Sequence, residues 1–349
     1  MALVALGIPL LIPRGERTAS KQELKSPAPE LASASQVSKP RIAKPSPLTT
    51  ALSTGSILQH AWQGDTNITL IARELLARYL DRHRTNAESL LTAFAVTRDF
   101  AYLKSAAAAF PDDPRVQFQV IIQDAFPEQR QEWRDKFRQS MPDNSIVDYL
   151  AARDNFKSGN RDQGLADLVN AVAKPDFSDF TRDNLQSLEE LYMFSGKSPA
   201  EAKGLAFSGV LLPHLLELRR LGKDMAQVQS QYIEAGDAAS AERMTEIGMT
   251  LGRQLTEGGG CSGVISQMVG FFIQEDLLTQ PTPIYSFLGQ NPGERLAEIQ
   301  TQKDAVRSTV RMFDQWLPNA SDADLITYFD RVKTFGEPNA IAWLQRQMN

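Results

Sequence analysis

The sequence predicts an all-α protein on three observations. Apolar residues recur at helical spacing: Ile68, Ile71, Ala72, Leu75, Leu76 and Tyr79 fall at i, i+3, i+4, i+7, i+8 and i+11, one face of a helix. Period-two alternation, the mark of a half-buried strand, is sustained nowhere. The punctuation is helical too. Ser198-Pro199-Ala200-Glu201 combines an N-cap serine, proline at the first helical position and glutamate at the third, a capping box. Gly196 and Gly222 follow helical runs, where a glycine is expected to close the helix.

In chain order, the first element is not a domain. Residues 2–13 are an uninterrupted apolar run, which as a helix spans about 18 Å against a ~30 Å hydrocarbon core. Arg14 and Arg17 follow it in place of a small-residue cleavage site, so residues 1–13 read as a truncated anchor or signal. Residues 14–55 read as a disordered linker, with Pro27, Pro29, Pro40, Pro45 and Pro47 on a background of Ser, Ala, Thr and Lys. Residues 14–45 hold seven Lys/Arg against three acids, +4, out of a total of 37 against 42. The remainder therefore carries 30 against 39, or −9, and all 28 aromatics lie at or after Trp62.

Beyond the linker the chain can build a core, with 42% hydrophobic and 23% charged residues overall. Similar helix ends occur at Phe110-Pro111-Asp112-Asp113, Met141-Pro142-Asp143-Asn144 and Lys174-Pro175-Asp176-Phe177, their prolines 31 and 33 residues apart. Each precedes an apolar pair that opens the next helix: Val116/Phe118, Val147/Tyr149 and Phe177/Phe180. One helix pair with short turns occupies this length, and stacked pairs bury a continuous core. Ser262–Thr279 is expected as a central packing helix, because Gln267, Gln274, Glu275 and Asp276 interrupt its apolar run. A long helix over Pro292–Trp316 and shorter ones after Ser321 and Pro338 complete the chain.

The repeated segments resemble the tetratricopeptide repeat, in degenerate form. In the best copy, Asp148 to Pro175, Ala152 matches the small residue of the first helix and Gly159-Asn160 the turn. Gly164, Leu168 and Ala171 match the small, large and small positions of the second helix. A second copy places Tyr232, Gly236 and Ala241 at the family spacing of aromatic, turn glycine and small residue. The early tryptophan of the family is missing, and Gly164 stands where alanine is usual. The resemblance implies helix-turn-helix repeats of a TPR-like α-solenoid over residues 56–257, with a less regular helical region, 258–349, packed on them. It also implies that ligand contacts come from the first helix of each pair, here Asp148, Arg153, Asn155 and Lys157.

Chemistry is sparse. Gly259-Gly260-Cys261-Ser262-Gly263 fits G-x-C-x-G, but the preceding Arg243–Leu255 reads as a helix rather than the strand of a nucleophile elbow. His60 sits at the linker edge and His83 at a helix end; His214, beside Pro213, reads as a packed or capping histidine. One cysteine and three histidines without ligand spacing suggest no metal and no cofactor. Glu189-Glu190 and Asp112-Asp113 read as solvated faces or helix-terminus charges. Arg130, Arg134, Lys136 and Arg138, interleaved with Glu128, Glu132 and Asp135, read as i,i+4 pairs on a solvated helix rather than a nucleic-acid track.

The sequence reading is thus a non-enzymatic scaffold for a protein or peptide partner, held at a membrane by its N-terminus, in the cell envelope or periplasm if the cell is bacterial. The alternatives are a cytoplasmic location, a divergent enzyme using Cys261, and a purely structural spacer.

Overall fold

In the order the chain lays them down, the helices are α1 (Thr54–Trp62), α2 (Arg73–Arg82), α3 (Ala87–Thr97), α4 (Phe100–Ala109), α5 (Pro114–Gln123), α6 (Arg130–Ser140), α7 (Ile146–Lys157) and α8 (Arg161–Val172). They continue as α9 (Thr181–Phe194), α10 (Pro199–Gly209), α11 (Pro213–Glu234), α12 (Ala238–Glu257), α13 (Val264–Leu278), α14 (Pro292–Trp316), α15 (Asp322–Phe335) and α16 (Glu337–Met348). The structure, a computed structural model, describes residues 53–63, 71–257, 263–280 and 291–348. Among these residues there is no strand, and a single parallel bridge joins Asn144 to Asp176. The apolar run, most of the linker and Gly258–Ser262 lie outside the described residues.

The helices begin where short polar side chains can hold free backbone N–H groups. Asn86, Asp99, Asp113, Ser198, Asn291 and Ser321 each accept from an amide two or three residues on. Both halves of the expected capping box form: Glu201 N–H donates to Ser198 Oγ at 3.3 Å, and Ser198 N–H to Glu201 Oε2 at 3.0 Å.

Helix ends repeat as well. After α2, α5, α7, α9 and α11 the chain turns through positive φ at Arg84, Asp124, Gly159, Gly196 and Gly236. In each turn the following residue's N–H reaches back five residues: Thr85 to Leu80, Ala125 to Val120, Asn160 to Asn155, Lys197 to Tyr192 and Asp237 to Tyr232, at 2.8–3.1 Å. Two of the three proline-marked ends share one geometry, Phe110 at φ −136°, ψ 57° and Met141 at φ −136°, ψ 67°. The third differs. Residues 174–180 run alongside the second, with Ser145 N–H donating to Asp176 O at 2.9 Å and Asp176 N–H to Asp143 O at 3.0 Å.

Hairpins α3–α4, α5–α6 and α7–α8 are spatial neighbours in that order, and α11 packs on α7. The hairpin α9–α10, although it lies between α8 and α11 in sequence, departs from this series. It packs instead on α3, α15 and α1. Two cores result. One draws on α3–α8 and α11–α13; the other joins Leu58 of α1 to α9, α10 and the C-terminal helices through Leu188, Tyr192, Leu205, Phe313, Tyr328 and Leu344. The boundary expected near residue 257 is therefore crossed by α1 and by α9–α10.

Gly222 corrects a reading of the sequence. It closes no helix but lies inside α11, where a Cβ would stand 2.7 Å from Ile273 Cγ1 of α13. Gly248 and Gly252 of α12 and Gly270 of α13 likewise let backbones approach. The helix after Ser262 is, as expected, a packing helix: α13 touches α11, α12 and α14.

At Gly270 an added Cβ would lie 2.6 Å from the Gly252 carbonyl oxygen, a backbone atom that cannot swing aside. Gly270→Ala is expected to destabilise by about 1–3 kcal/mol in urea unfolding. Gly209→Ala, whose Cβ would meet nothing nearer than 3.8 Å, is expected to be neutral or to stabilise by up to about 1 kcal/mol through helix propensity.

Candidate functional site

The residues expected at helix-packing positions fall into two groups. Ala152, Leu168, Ala171 and Ala241 are fully buried, and Gly159 and Gly236 occupy positive-φ turns. Gly164 faces the Phe156 ring, with room for no Cβ. Tyr232 lies under the Arg161 guanidinium, 4.8 Å from ring centroid to Cζ, tying α11 to the start of α8.

The four expected ligand contacts fare differently. Asp148 is 1% exposed and held by Arg138 Nε at 2.7 Å and Lys174 Nζ at 2.6 Å. Asn155 donates to Asp167 Oδ2 at 2.7 Å, and Arg153 reaches Asp224 of α11 at 3.1 Å. Only Lys157 is exposed. Three of these side chains thus join helices within the fold.

The basic residues of α6 also depart from expectation. Lys136 pairs with Glu132 at 2.9 Å, as the i,i+4 spacing suggests. Arg130, Arg134 and Arg138, one turn apart, instead face the α7–α8 hairpin. Asp154 pairs with both Arg130 and Arg134, while Arg138 takes Asp148 and approaches Asp167. Burial, with the flanking charges of Arg130 and Arg138, pulls the Arg134 guanidinium down to about 10. Glu189 is no solvated acid either. It is 7% exposed and receives Lys203 at 2.6 Å and Lys333 at 2.8 Å, fastening α10 and α15 to α9.

His214 is buried as anticipated, its Nε2 3.0 Å from Asp179 Oδ2 and its ring edge-on to Phe118. Burial alone would raise the Asp179 carboxyl; the hydrogen bond and charge of His214 and the Thr181 amide outweigh it and hold the group below its ordinary value. Glu337, at the start of α16, accepts from Val264 N–H at 2.6 Å and so caps α13 from across the fold. Burial pushes its carboxyl up to about 7 against this bond. Among the described residues no group of His, Cys, Asp and Glu is arranged to hold a metal ion, and no helix is long and apolar enough to cross a membrane. Cys261 lies outside the described residues.

One cleft leaves polar groups open. Leu91, Phe94, Ala95 and Arg98 of the α3 end, Gln119 and Gln123 of α5, and Asn184 and Leu188 of α9 line it, with residues 209–211 along one rim. Most polar side chains between helices are bonded, as with Asn155, Gln117 and Gln229. Here the amide groups of Gln119, Gln123 and Asn184 have no hydrogen-bond partner among the described residues, and Arg98 has no carboxylate. Burial lowers the Arg98 guanidinium from its ordinary value, partly offset by nearby Tyr192. Leu211 of the lining is exposed, and exposed Phe100 packs edge-on to Phe94 at 5.4 Å. The cleft is small, with an open volume of about 380 Å³ that includes the solvent at its mouth. It suits a chain laid along its mouth better than a compact molecule sunk within.

No protein-family model, curated protein or solved structure matches this chain.

Sequence reasoning missed this cleft, and no residue type announces it: Arg98 turns the chain at φ 59° between two helices where a glycine would be the usual sign.

Removing the Asp148 carboxylate leaves Arg138 and Lys174 without their buried partner. Asp148→Ala is expected to cost about 3–5 kcal/mol in urea unfolding, and Lys157→Ala to stay within about 0.5 kcal/mol. Glu337 ionises at about 7 in the fold, against an ordinary 4.5. The folded state therefore binds the extra proton between these values, and the associated stability, complete below 4.5, is lost as pH rises through 7. Glu337→Gln, which keeps an acceptor for Val264 N–H, is expected to raise Tm relative to the parent more at pH 8 than at pH 5.

Proposed function

We propose that this protein is a non-enzymatic interaction scaffold whose TPR-like helical hairpins present a surface to a protein or peptide partner. The observation that carries this reading is where the open polar side chains sit. Arg98 follows α3, and Gln119 and Gln123 lie on α5, so the first helices of consecutive hairpins share one cleft. The repeated turn geometry and the series α3–α4, α5–α6, α7–α8 and α11–α12 support the repeat reading. Recognition spread over successive hairpins suits an extended partner.

The N-terminus supplies the location. The apolar run over residues 2–13, followed by the +4 proline-rich stretch, supports a membrane tether with the helical part held away from the bilayer. The setting that fits is a cell envelope, if the cell is bacterial.

Two measurements test the reading. Photo-cross-linking from position 100, whose side chain packs on Phe94 of the cleft, is expected to yield discrete protein adducts, whereas position 246, on α12, yields few. An absence of adducts from both would favour a spacer. On fractionation, the full chain is expected in the membrane pool, and a wholly soluble pool would refute the tether.

A further inference from the structure

The geometry points to the cleft between α3, α5 and α9 as the binding site for an extended peptide that carries an acidic side chain among apolar residues. This rests on the scaffold reading and adds the chemistry of its partner.

Three features of the cleft select that chemistry. The first is charge. Several guanidinium groups that lie between helices meet Asp or Glu within 4 Å, as at Arg130, Arg134, Arg138, Arg153 and Arg219. Arg98, exposed at the end of α3, has no such partner among the described residues, and no Asp or Glu is among those that line the cleft. A ligand carboxylate would complete the pair, in a bidentate fork if the geometry allows both oxygens to be met.

The second feature is backbone. Between α10 and α11, Val210 is extended at φ −68°, ψ 126°, and the N–H groups of Leu211 and Leu212 make no backbone hydrogen bond among the described residues. An extended segment with open donors along a cleft rim can pair with another extended chain, as an added strand does at a sheet edge. Gln119, Gln123 and Asn184 provide further donors and acceptors for a peptide main chain opposite that rim.

The third is apolar surface. Leu211, 49% exposed, lines the cleft together with Leu91, Phe94, Ala95 and Leu188, and Phe100, 41% exposed, lies against Phe94. Apolar residues flanking the acid would cover these side chains, remove water from the Arg98 pair and so strengthen it. Nucleic acid fits poorly: the chain beyond residues 14–45 carries −9 and the cleft holds one cation.

The test uses the full-length chain and a random library of twelve-residue peptides displayed on phage. Selected peptides are expected to be enriched in Asp or Glu flanked by apolar residues. By fluorescence anisotropy, a selected peptide should bind Arg98→Gln at least tenfold more weakly, and Leu211→Ala several-fold more weakly. Both positions lack bonded side-chain partners, so Tm should not move. Replacing the peptide's acid by its amide should weaken binding to the parent but not to Arg98→Gln. Peptides without acidic enrichment, or binding unchanged by Arg98→Gln, would overturn the proposal. Adducts from position 100 alongside either result would leave the scaffold standing while removing this ligand chemistry from it.

Discussion

The approach of α13 to its neighbours sets the rest of the fold. This helix contributes Val269, Ile273 and Leu277 to the larger core, Val264 to the second, and Met268, Phe271 and Leu278 to a third cluster shared with α14. It can reach all three because glycines stand at its crossings: Gly222 beneath Ile273, Gly248 beneath Leu277, Gly252 beneath Gln274, and Gly270 against the Gly252 carbonyl. A methyl at these points would push helices apart and open voids along both flanks, in an interior that tolerates little unfilled space. The C-terminal helices then stand on α13 and on the α9–α10 hairpin, so their placement inherits that spacing.

Buried charges fix which elements meet. Asp148 and Asp154 bind the arginine row of α6 to the α7–α8 hairpin, and Glu189 binds two lysines from α10 and α15. Such pairs add little net stability over a well-packed apolar contact, because both charges leave water. Any packing that separates them, however, leaves a charge buried alone. The hydrophobic contacts of α6 or α9 could be satisfied at several rotations; their ion pairs allow far fewer.

Much of the local structure was legible in the sequence. The capping box at Ser198, the helix over Pro292–Trp316, and the turns at Gly159, Gly196 and Gly236 depend on neighbouring residues alone. What escaped depends on distant partners. Gly222 reads identically whether it ends a helix or admits Ile273 of another, and arginines at 130, 134 and 138 suit a wet face as well as a row of aspartates. Arg84, Arg98 and Asp124 take positive φ without the glycine that usually announces it. The displacement of α9–α10 onto α3 has no local signature, and it builds the wall of the cleft opposite Arg98.

The union of α1 with the C-terminal helices has a consequence for the order of assembly. Leu58 packs against Gly204, and Ser53 Oγ donates to Pro318 O at 3.2 Å across 265 residues of chain. At a ribosomal rate of roughly 5–20 residues per second, α1 waits on the order of ten to fifty seconds for that partner. Meanwhile the hairpins α3–α8, whose contacts are largely between adjacent elements, can already have folded. The second core is thus completed only after the hairpins. A chain interrupted before Leu317 would keep its hairpins but leave α1 seated on α10 alone.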